Sequence, residues 1–182
     1  MNAPTPVPAA DPAGVMGLFD NSHQQIAAML QRLTQLANDL AEQGTTLPLR
    51  TEARAVRDWL GREAREHHLD EERHIFPPLL ASGDEELMHV TRLLQQDHGW
   101  LEENWLSIQP ELTAAVEGFT SFNAASLQET SRLFCQLYAD HMLLEESVAY
   151  PAVSPLVQGQ ATAEAMRQEI EQRRSVRAQL KG

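Results

Sequence analysis

The sequence is poor in residues on which several classes of protein depend. It has one cysteine, Cys135, in 182 residues, so no disulfide can form within the chain and a reducing compartment fits. Basic residues are also few, with 14 Lys and Arg against 26 Asp and Glu and a net charge of −12. No basic stripe can neutralise phosphates, which argues against nucleic acid and an anionic membrane surface as partners.

Long hydrophobic runs and alternating β patterns are lacking as well. No apolar stretch approaches the roughly 20 residues that span a bilayer. The first fifteen residues carry no Lys or Arg and no apolar run, so they are not expected to be a secretory signal. Their Pro and Ala content predicts a disordered leader over residues 1–15. Together these features predict a cytoplasmic protein.

Helix-forming residues are what the chain contains in abundance. Ala, Leu, Gln, Glu and Arg dominate, and apolar residues near the N-terminus recur with a heptad rhythm. Helix stops are expected at Gly44, Pro77-Pro78 and Pro151, and at Pro110 a helix either ends or resumes with a kink. The predicted helices span about 16–42, 49–75, from the SGDEE cap near 82–86 to 108, 123–149 and 161–180.

This pattern predicts an all-α fold. Four long amphipathic helices with short connections indicate an antiparallel up-and-down four-helix bundle, which we assign to residues 16–153. Residues 154–182 are expected to form a linker and an additional C-terminal helix, which packs on the outside of the bundle or mediates assembly into a homo-oligomer.

Two stretches of the sequence repeat the same arrangement of histidines and carboxylates. Residues 67–77 read HHLDEERHIFP, and residues 141–151 read HMLLEESVAYP. Both follow the order His-x-x-x-Glu-Glu and end on an aromatic-Pro pair. A lone histidine precedes each copy on the previous helix, His23 in the first half and His98 in the second, at nearly the same separation. The repetition predicts two helical hairpins that present the same constellation.

Helical periodicity indicates which of these side chains face inward. Steps of three and four residues back from His67 meet only apolar residues, whereas the same steps from His68 meet arginines and a glycine. His67 and Glu71 are therefore expected in the core, with His68 and Glu72 toward its edge. The predicted inward-facing groups are His23, His67, Glu71, His98, His141 and Glu145.

Burial of six such groups requires compensating charge. An isolated buried carboxylate or charged histidine costs several kcal/mol, and two shared cations would remove that cost. If each metal takes two histidines, one oxygen from each bridging carboxylate and a solvent bridge, it has about five ligands, and one octahedral position remains for a small molecule. Mixed imidazole and carboxylate ligation without thiolate favours iron, with manganese and zinc as alternatives.

At these residues the sequence resembles the hemerythrin-like family, also called the HHE cation-binding domain, over about residues 16–153. The resemblance implies a four-helix bundle with a non-haem di-iron centre of the bacterial type, bridged by oxo or hydroxo, that binds oxygen, nitric oxide or peroxide. It implies that His23 and His141 share one iron and that Glu71 and Glu145 bridge. His67 and His98 would then share the other iron.

The sequence also departs from the oxygen carriers of that family, which have two histidines one turn apart on the third helix. Here the residue one turn after His98 is Glu102. The six-ligand pattern is more similar to bacterial proteins that repair damaged iron centres, which usually add a cysteine-containing N-terminal domain. Three functions therefore remain open: binding or sensing a diatomic gas, redox or stress-repair activity, and an interaction module that uses the C-terminal helix.

The remaining polar and aromatic residues have simpler expected roles. Glu102 is expected at the solvent edge, with a seventh ligand as the alternative. His68, His74 and His89 are expected at the surface, with His68 hydrogen-bonding near the site as the alternative. Packing roles are expected for Trp59, Trp100, Trp105 and Cys135, and for Phe76 and Tyr150 as plugs at the helix ends.

Overall fold

The fold is a bundle of antiparallel helices, described by a computed structural model over residues 14–119, 123–157 and 160–179. These described residues form helices and no strands, which confirms the all-α prediction. The α-helices are α1 Met16–Gln43, α2 Leu47–Trp59, α3 Arg65–His74, α4 Phe76–Leu80, α5 Glu85–Glu117, α6 Ala124–Leu144, α7 Tyr150–Val157 and α8 Gln160–Gln179. Two π-helical turns, Leu60–Ala64 and Glu145–Ala149, join α2 to α3 and α6 to α7.

Short polar caps and glycines set the ends of the long helices. The Asp84 side chain accepts hydrogen bonds from the backbone N–H of Glu86 and Leu87 and so begins α5. Gly118, at φ 81°, ends the same helix in the left-handed conformation that glycine adopts without strain. α1 packs against α2 and α6, and α5 packs against the same two helices, which closes the four-helix bundle.

The predicted stop at Pro77-Pro78 is confirmed, since α3 ends at His74, but Pro110 and Pro151 do not end their helices. Pro77 and Pro78 lie in the first turn of α4, where a backbone N–H has no helical partner to lose. Pro151 likewise falls in the first turn of α7, which continues to Val157 through residues that were expected to be a linker. Pro110 lies inside α5, which runs on to Glu117. The predicted leader falls largely on residues 1–13, which lie outside the described residues.

Two apolar clusters divide the bundle along its length. The larger fills the body of the bundle and includes Ile26, Ala64, Leu101 and Tyr138. The second lies toward one end and includes Phe19, Ile75, Leu94, Ala149 and residues of α8. Each long helix therefore passes from one cluster to the other, and the predicted histidines and carboxylates fall in the layer between them.

The C-terminal helix α8 packs against the outside of the bundle over α3. Met166 and Ile170 are buried in the second apolar cluster. Arg173 forms ion pairs with Glu66 and Asp70, two acids of α3 that are themselves buried. No helix in the described ranges is long and apolar enough to cross a membrane.

Candidate metal centre

Six polar side chains meet in the layer between the two apolar clusters, and each comes from a helix of the bundle. Helix α1 supplies one histidine, α3 supplies a histidine and a glutamate, and α5 supplies one histidine. The last histidine lies near the end of α6, and the last glutamate begins the π-helical turn that follows it. All six are at most 5% exposed. They are the six residues that the sequence singled out, His23, His67, Glu71, His98, His141 and Glu145.

The two glutamates lie at the centre of the arrangement, and each contacts one histidine of its own hairpin. His67 Nε2 lies 3.5 Å from Glu71 Oε1, and His141 Nε2 lies 3.2 Å from Glu145 Oε1. These contacts join residues four positions apart in sequence, which one face of a helix brings together.

Each glutamate also contacts a histidine of the other hairpin. His23 Nε2 lies 3.2 Å from Glu145 Oε2, and His98 Nε2 lies 3.4 Å from Glu71 Oε2. In each half of the chain, the glutamate thus contacts the histidine four residues before it and the lone histidine of the other half. This symmetry is what the repeat in the sequence predicts.

The donor atoms form two groups of four that share both carboxylates. One group joins His23 and His67 with Glu71 and Glu145, and its donor atoms all lie within 4.8 Å of one another. The second group joins His98 with a histidine of α6 and the same two glutamates, within the same limit. The resemblance to the family implied a different pairing, with His23 beside His141. The donor-atom distances instead group the two histidines of each hairpin. The rings of each pair meet edge to face at centroid distances of 4.8 and 4.9 Å.

The second acid of each Glu-Glu pair holds a histidine on a neighbouring helix. Glu146 Oε1 lies 2.8 Å from His23 Nδ1, and Glu72 Oε1 lies 2.9 Å from His98 Nδ1. When Nδ1–H donates to a carboxylate, Nε2 carries the lone pair, which is the tautomer that a metal ligand needs. Sequence periodicity placed Glu72 only at the edge of the stripe. In the structure, Glu72 at that edge position fixes the orientation of the His98 ring.

A family model for the hemerythrin HHE cation binding domain matches residues 16–153. The chain belongs to the hemerythrin HHE family. Membership implies metal binding, with iron the typical metal, and it agrees with the helical bundle and its histidine–glutamate groups. No individual curated protein matches the chain significantly.

The polar atoms of this HHE domain fit a bound cation. Within the described part of the chain, most donor atoms of the layer are buried and have no hydrogen-bond partner. They are His67 Nδ1 and Nε2, Glu71 Oε2, His98 Nε2, His141 Nδ1 and Nε2, and both carboxylate oxygens of Glu145. Buried polar atoms are normally satisfied, so a group of orphaned imidazole nitrogens and carboxylate oxygens aimed at common points is what a metal site presents.

The charges of the layer depend strongly on one another. Burial and the neighbouring Glu145 carboxylate raise the pKa of Glu71 to about 7. Burial would also raise the pKa of Glu145, but contacts with His141 and His23 outweigh it and hold that pKa well below its ordinary range. Burial opposes the charged form of His141, yet the carboxylates of Asp97 and Glu145 raise its pKa to about 10. Without a bound ion, protons therefore balance the buried carboxylates of the HHE site.

Two aromatic residues of the site have polar roles that the sequence did not indicate. The Tyr150 hydroxyl donates to Glu71 Oε1 at 2.5 Å and lies 3.0 Å from His23 Nε2, so this residue does more than plug the helix end. Its counterpart in the first repeat, Phe76, is fully buried 5.2 Å from the His98 ring and keeps the expected plug role. The sequence does contain a signal for this difference, because the aromatic residue before the proline is Phe76 in the first copy and Tyr150 in the second, and only tyrosine has a hydroxyl.

His68 was expected at the surface, and that prediction is wrong. Its ring stacks on His98 with a centroid distance of 4.0 Å, and its Nε2 lies 2.7 Å from the Tyr138 hydroxyl. It also forms a third group of potential donors with His98 and His141. The alternative, hydrogen bonding near the site, is the one that the structure supports.

Other residues lie away from the centre. Glu102 is exposed and pairs with Arg65 at 3.3 Å, so it lies outside the ligand groups, at the solvent edge. His89 is exposed as expected, while His74 is only partly exposed and its Nε2 lies 2.7 Å from Glu169 on α8. Trp59 and Trp105 pack against the core, but Trp100 is 49% exposed, so its predicted packing role is wrong. Burial raises the pKa of the half-buried Cys135, consistent with a packing role.

Proposed function

We propose that the chain holds two iron ions, one in each group of four donors, and binds a diatomic gas such as oxygen or nitric oxide there. The observation that carries the proposal is the sharing of Glu71 and Glu145 between the two groups, since two carboxylates common to two sites are what a bridged pair of ions requires. Manganese and zinc use the same donor types and are the competing metals. The single cysteine supports a cytoplasmic location.

The residues of the layer would bind the ions, orient the ligand rings or exclude water. Each ion would take two imidazoles and one oxygen from each shared carboxylate, which leaves positions of an octahedral iron for solvent and a small ligand. When bound, the iron pair supplies the electrons and open coordination positions that hold a diatomic ligand. Glu72 and Glu146 keep the His98 and His23 rings in the ligand tautomer. Phe19, whose ring centroid lies 6.2 Å from that of His67, helps to keep water out.

The test is the metal content of the purified protein and of matched variants. We expect about two iron ions per chain, with an absorption band from the bridged pair that changes on exposure to oxygen or nitric oxide. Glu71→Ala removes a carboxylate common to both groups and is expected to abolish loading of the pair. Glu102→Ala removes an exposed carboxylate that lies outside the groups and is expected to leave the metal content unchanged. A folded wild-type protein that contains no metal would overturn the proposal.

Peroxide turnover or iron donation to damaged iron centres is the second candidate. The observation that favours it is the solvent-edge position of Glu102, because the third helix then adds no ligand one turn beyond His98 and the set resembles the repair proteins. Steady-state consumption of hydrogen peroxide, or reactivation of a nitrosylated iron–sulfur enzyme, by the iron-loaded protein would support this candidate. Reversible gas binding with neither activity would exclude it.

A further inference from the structure

A cavity of about 160 Å³ lies beside the metal centre, on the side of the first π-helical turn. It opens between that turn, α5 and α6. Leu60, Ala64, Leu101, Trp105, Leu106 and Phe134 form the apolar and aromatic part of its walls, and about half of the lining is polar. The Trp105 and Phe134 rings lie next to each other at a centroid distance of 5.9 Å. The cavity therefore combines an aromatic wall, made of two tilted rings, with polar lining atoms.

Two polar side chains line this cavity and connect it with the metal centre. The Tyr138 hydroxyl and His68 Nε2 are joined by a hydrogen bond of 2.7 Å, and both residues line the cavity. The His68 ring stacks on His98, so one imidazole borders both the cavity and the ligand layer. The repeat does not account for this pair, because the residue that matches His68 in the second copy is Met142.

The charged residues of the cavity neutralise each other. Arg65 and Glu102 both line it, are more than half exposed and lie 3.3 Å apart. The other lining residues carry no fixed charge, since Gly61 and Gln109 complete the set. A charged ligand would have to give up its hydration without gaining an opposite charge, which disfavours carboxylates and ammonium ions.

We propose that this cavity binds a small neutral phenol, with its ring against Trp105 and Phe134 and its hydroxyl hydrogen-bonded to the Tyr138–His68 pair. The size fits one ring, because an apolar protein cavity of about 150 Å³ is known to take up benzene. Aromatic walls favour a planar ring through edge and face contacts. Binding does not depend on iron, so this proposal and the proposed function can fail independently.

Gly61 offers a way to close the cavity without touching a metal ligand. A Cβ at Gly61 would lie 3.5 Å from Trp105 Nε1, which is ordinary van der Waals contact, and a longer side chain would extend into the cavity. Gly99 is the matched control, because it is also a helical glycine, its Cβ would meet no atom within 4 Å, and it does not line the cavity. Gly61→Leu and Gly99→Leu therefore make the same chemical change inside and outside the proposed site.

The experiment is calorimetric titration of the purified protein and these variants with phenol. We expect a dissociation constant on the order of 1 mM or below for the wild type and for Gly99→Leu. Gly61→Leu is expected to weaken binding at least tenfold, with the same helical content and an unchanged iron content. Equal binding by both variants, or no binding by the wild type, would overturn the proposal.

The chemical class is tested with ligands of similar shape. Fluorobenzene, which lacks the hydroxyl, is expected to bind about fivefold more weakly than phenol, and benzoate is expected not to bind measurably. The double variant Tyr138→Phe/His68→Leu removes both hydrogen-bonding groups and should remove the preference for phenol over fluorobenzene while fluorobenzene still binds. Benzoate binding as tightly as phenol would contradict the assignment of a neutral ligand.

A crystal of the wild-type protein soaked in 4-bromophenol provides a test that needs no variant. The anomalous signal of bromine is expected between the first π-helical turn, α5 and α6, within van der Waals contact of Trp105. Bromine sites only elsewhere on the molecule would overturn the proposal even if a binding isotherm were observed.

Discussion

At the scale of single residues, we expect metal binding at the candidate centre to release protons. His141, with its pKa raised to about 10, retains a proton at neutral pH when no ion is bound, and Glu71, with its pKa raised to about 7, is then partly protonated. The His141 and Glu71 side chains must lose these protons before they can serve as ligands. Loading of the site therefore competes with protonation over a wide pH range.

We predict that the apparent metal affinity rises with pH. Between about pH 7 and 10 a bound ion displaces the proton of His141. Toward pH 7 it also displaces protons from His23 and His98, because carboxylate contacts outweigh burial and raise the pKa of both, so the affinity should increase at least tenfold per pH unit. Below pH 7 the proton on Glu71 must also leave, and the dependence should become steeper. Competition with a chromophoric chelator, measured at several pH values after correction for the chelator's own protonation, checks this. An affinity that stays constant from pH 6 to 9 would contradict it.

Residue by residue, the sequence predicted the ligand candidates better than it predicted their surroundings. The inward positions follow from the i, i+4 spacing of His67 and Glu71, which a regular helix converts directly into one face. His68 was misplaced although Arg65 and Gly61, behind it on the same face, are exposed as the periodicity indicated. These residues line a cavity together with His68, whose ring stacks on His98 of α5 and hydrogen-bonds Tyr138 of α6. The periodicity of one helix contains no information about such contacts with other helices.

At the scale of helices, α8 is tied to the bundle by ion pairs with α3. Arg173 contacts both Glu66 and Asp70, and Arg174 Nη2 lies 2.5 Å from Asp70 Oδ2. Glu66 and Asp70 each precede a candidate ligand of α3 by one residue, so the position of α8 and the geometry of the centre are linked through one helix.

We predict that Arg173→Ala destabilises the protein by about 2 kcal/mol, because it leaves two buried carboxylates without this partner while Arg174 still covers Asp70. Urea unfolding of the purified protein measures the change. Arg132→Ala, which removes an exposed ion pair with Glu129, is the control and should change the unfolding midpoint very little. Similar midpoints for the two variants would show that α8 does not depend on these contacts.

The interaction-module alternative can be examined with the same helix. If α8 served only a partner, deletion of residues 160–182 would abolish association and leave the metal content unchanged. Because α8 covers Glu66 and Asp70, we instead expect this deletion to lower the metal content as well. Which helices exist was predictable from their amphipathic pattern, but the docking of α8 depends on contacts with residues far away in sequence, which no local pattern contains.

At the scale of the whole molecule, a polar layer separates two apolar clusters, and the stability of the bundle should depend on what that layer binds. The carboxylate oxygens of Glu145 are buried without hydrogen-bond partners, which is costly unless a cation compensates them. A metal that binds only the folded chain adds its binding free energy to the free energy of unfolding.

We predict that removal of metal lowers the melting temperature by about 10 °C. The estimate assumes free metal at about 1,000 times its dissociation constant, which gives about 4 kcal/mol, and a shift of about 2–4 °C per kcal/mol for a chain of this size. Calorimetric scans before and after dialysis against a chelator measure the shift, and added metal should restore it. The Glu71→Ala variant should melt at one temperature in both conditions, and an unchanged wild-type melting temperature would contradict the prediction.

The overall architecture was the most predictable feature of the molecule. The heptad rhythm and the repeated motif were enough to predict an all-α bundle, because amphipathic helices must bury one face. Whether a helix continues past Pro110 or Pro151 was not predictable in the same way. Pro151 lies in the first turn of α7, where a backbone N–H has no helical partner to lose. Pro110 lies inside α5 and removes one backbone hydrogen bond, a cost that the packing of the bundle must offset.

Both groups of donor atoms include Glu71 and Glu145, and this has a consequence for the order of events during synthesis. Neither group is complete until Glu145 has left the ribosome, which happens only after the whole first hairpin has been made. The first hairpin can offer three of the four donors of its group before then, but the fourth must wait. If the two groups hold metal as proposed, loading follows the meeting of the two halves of the chain.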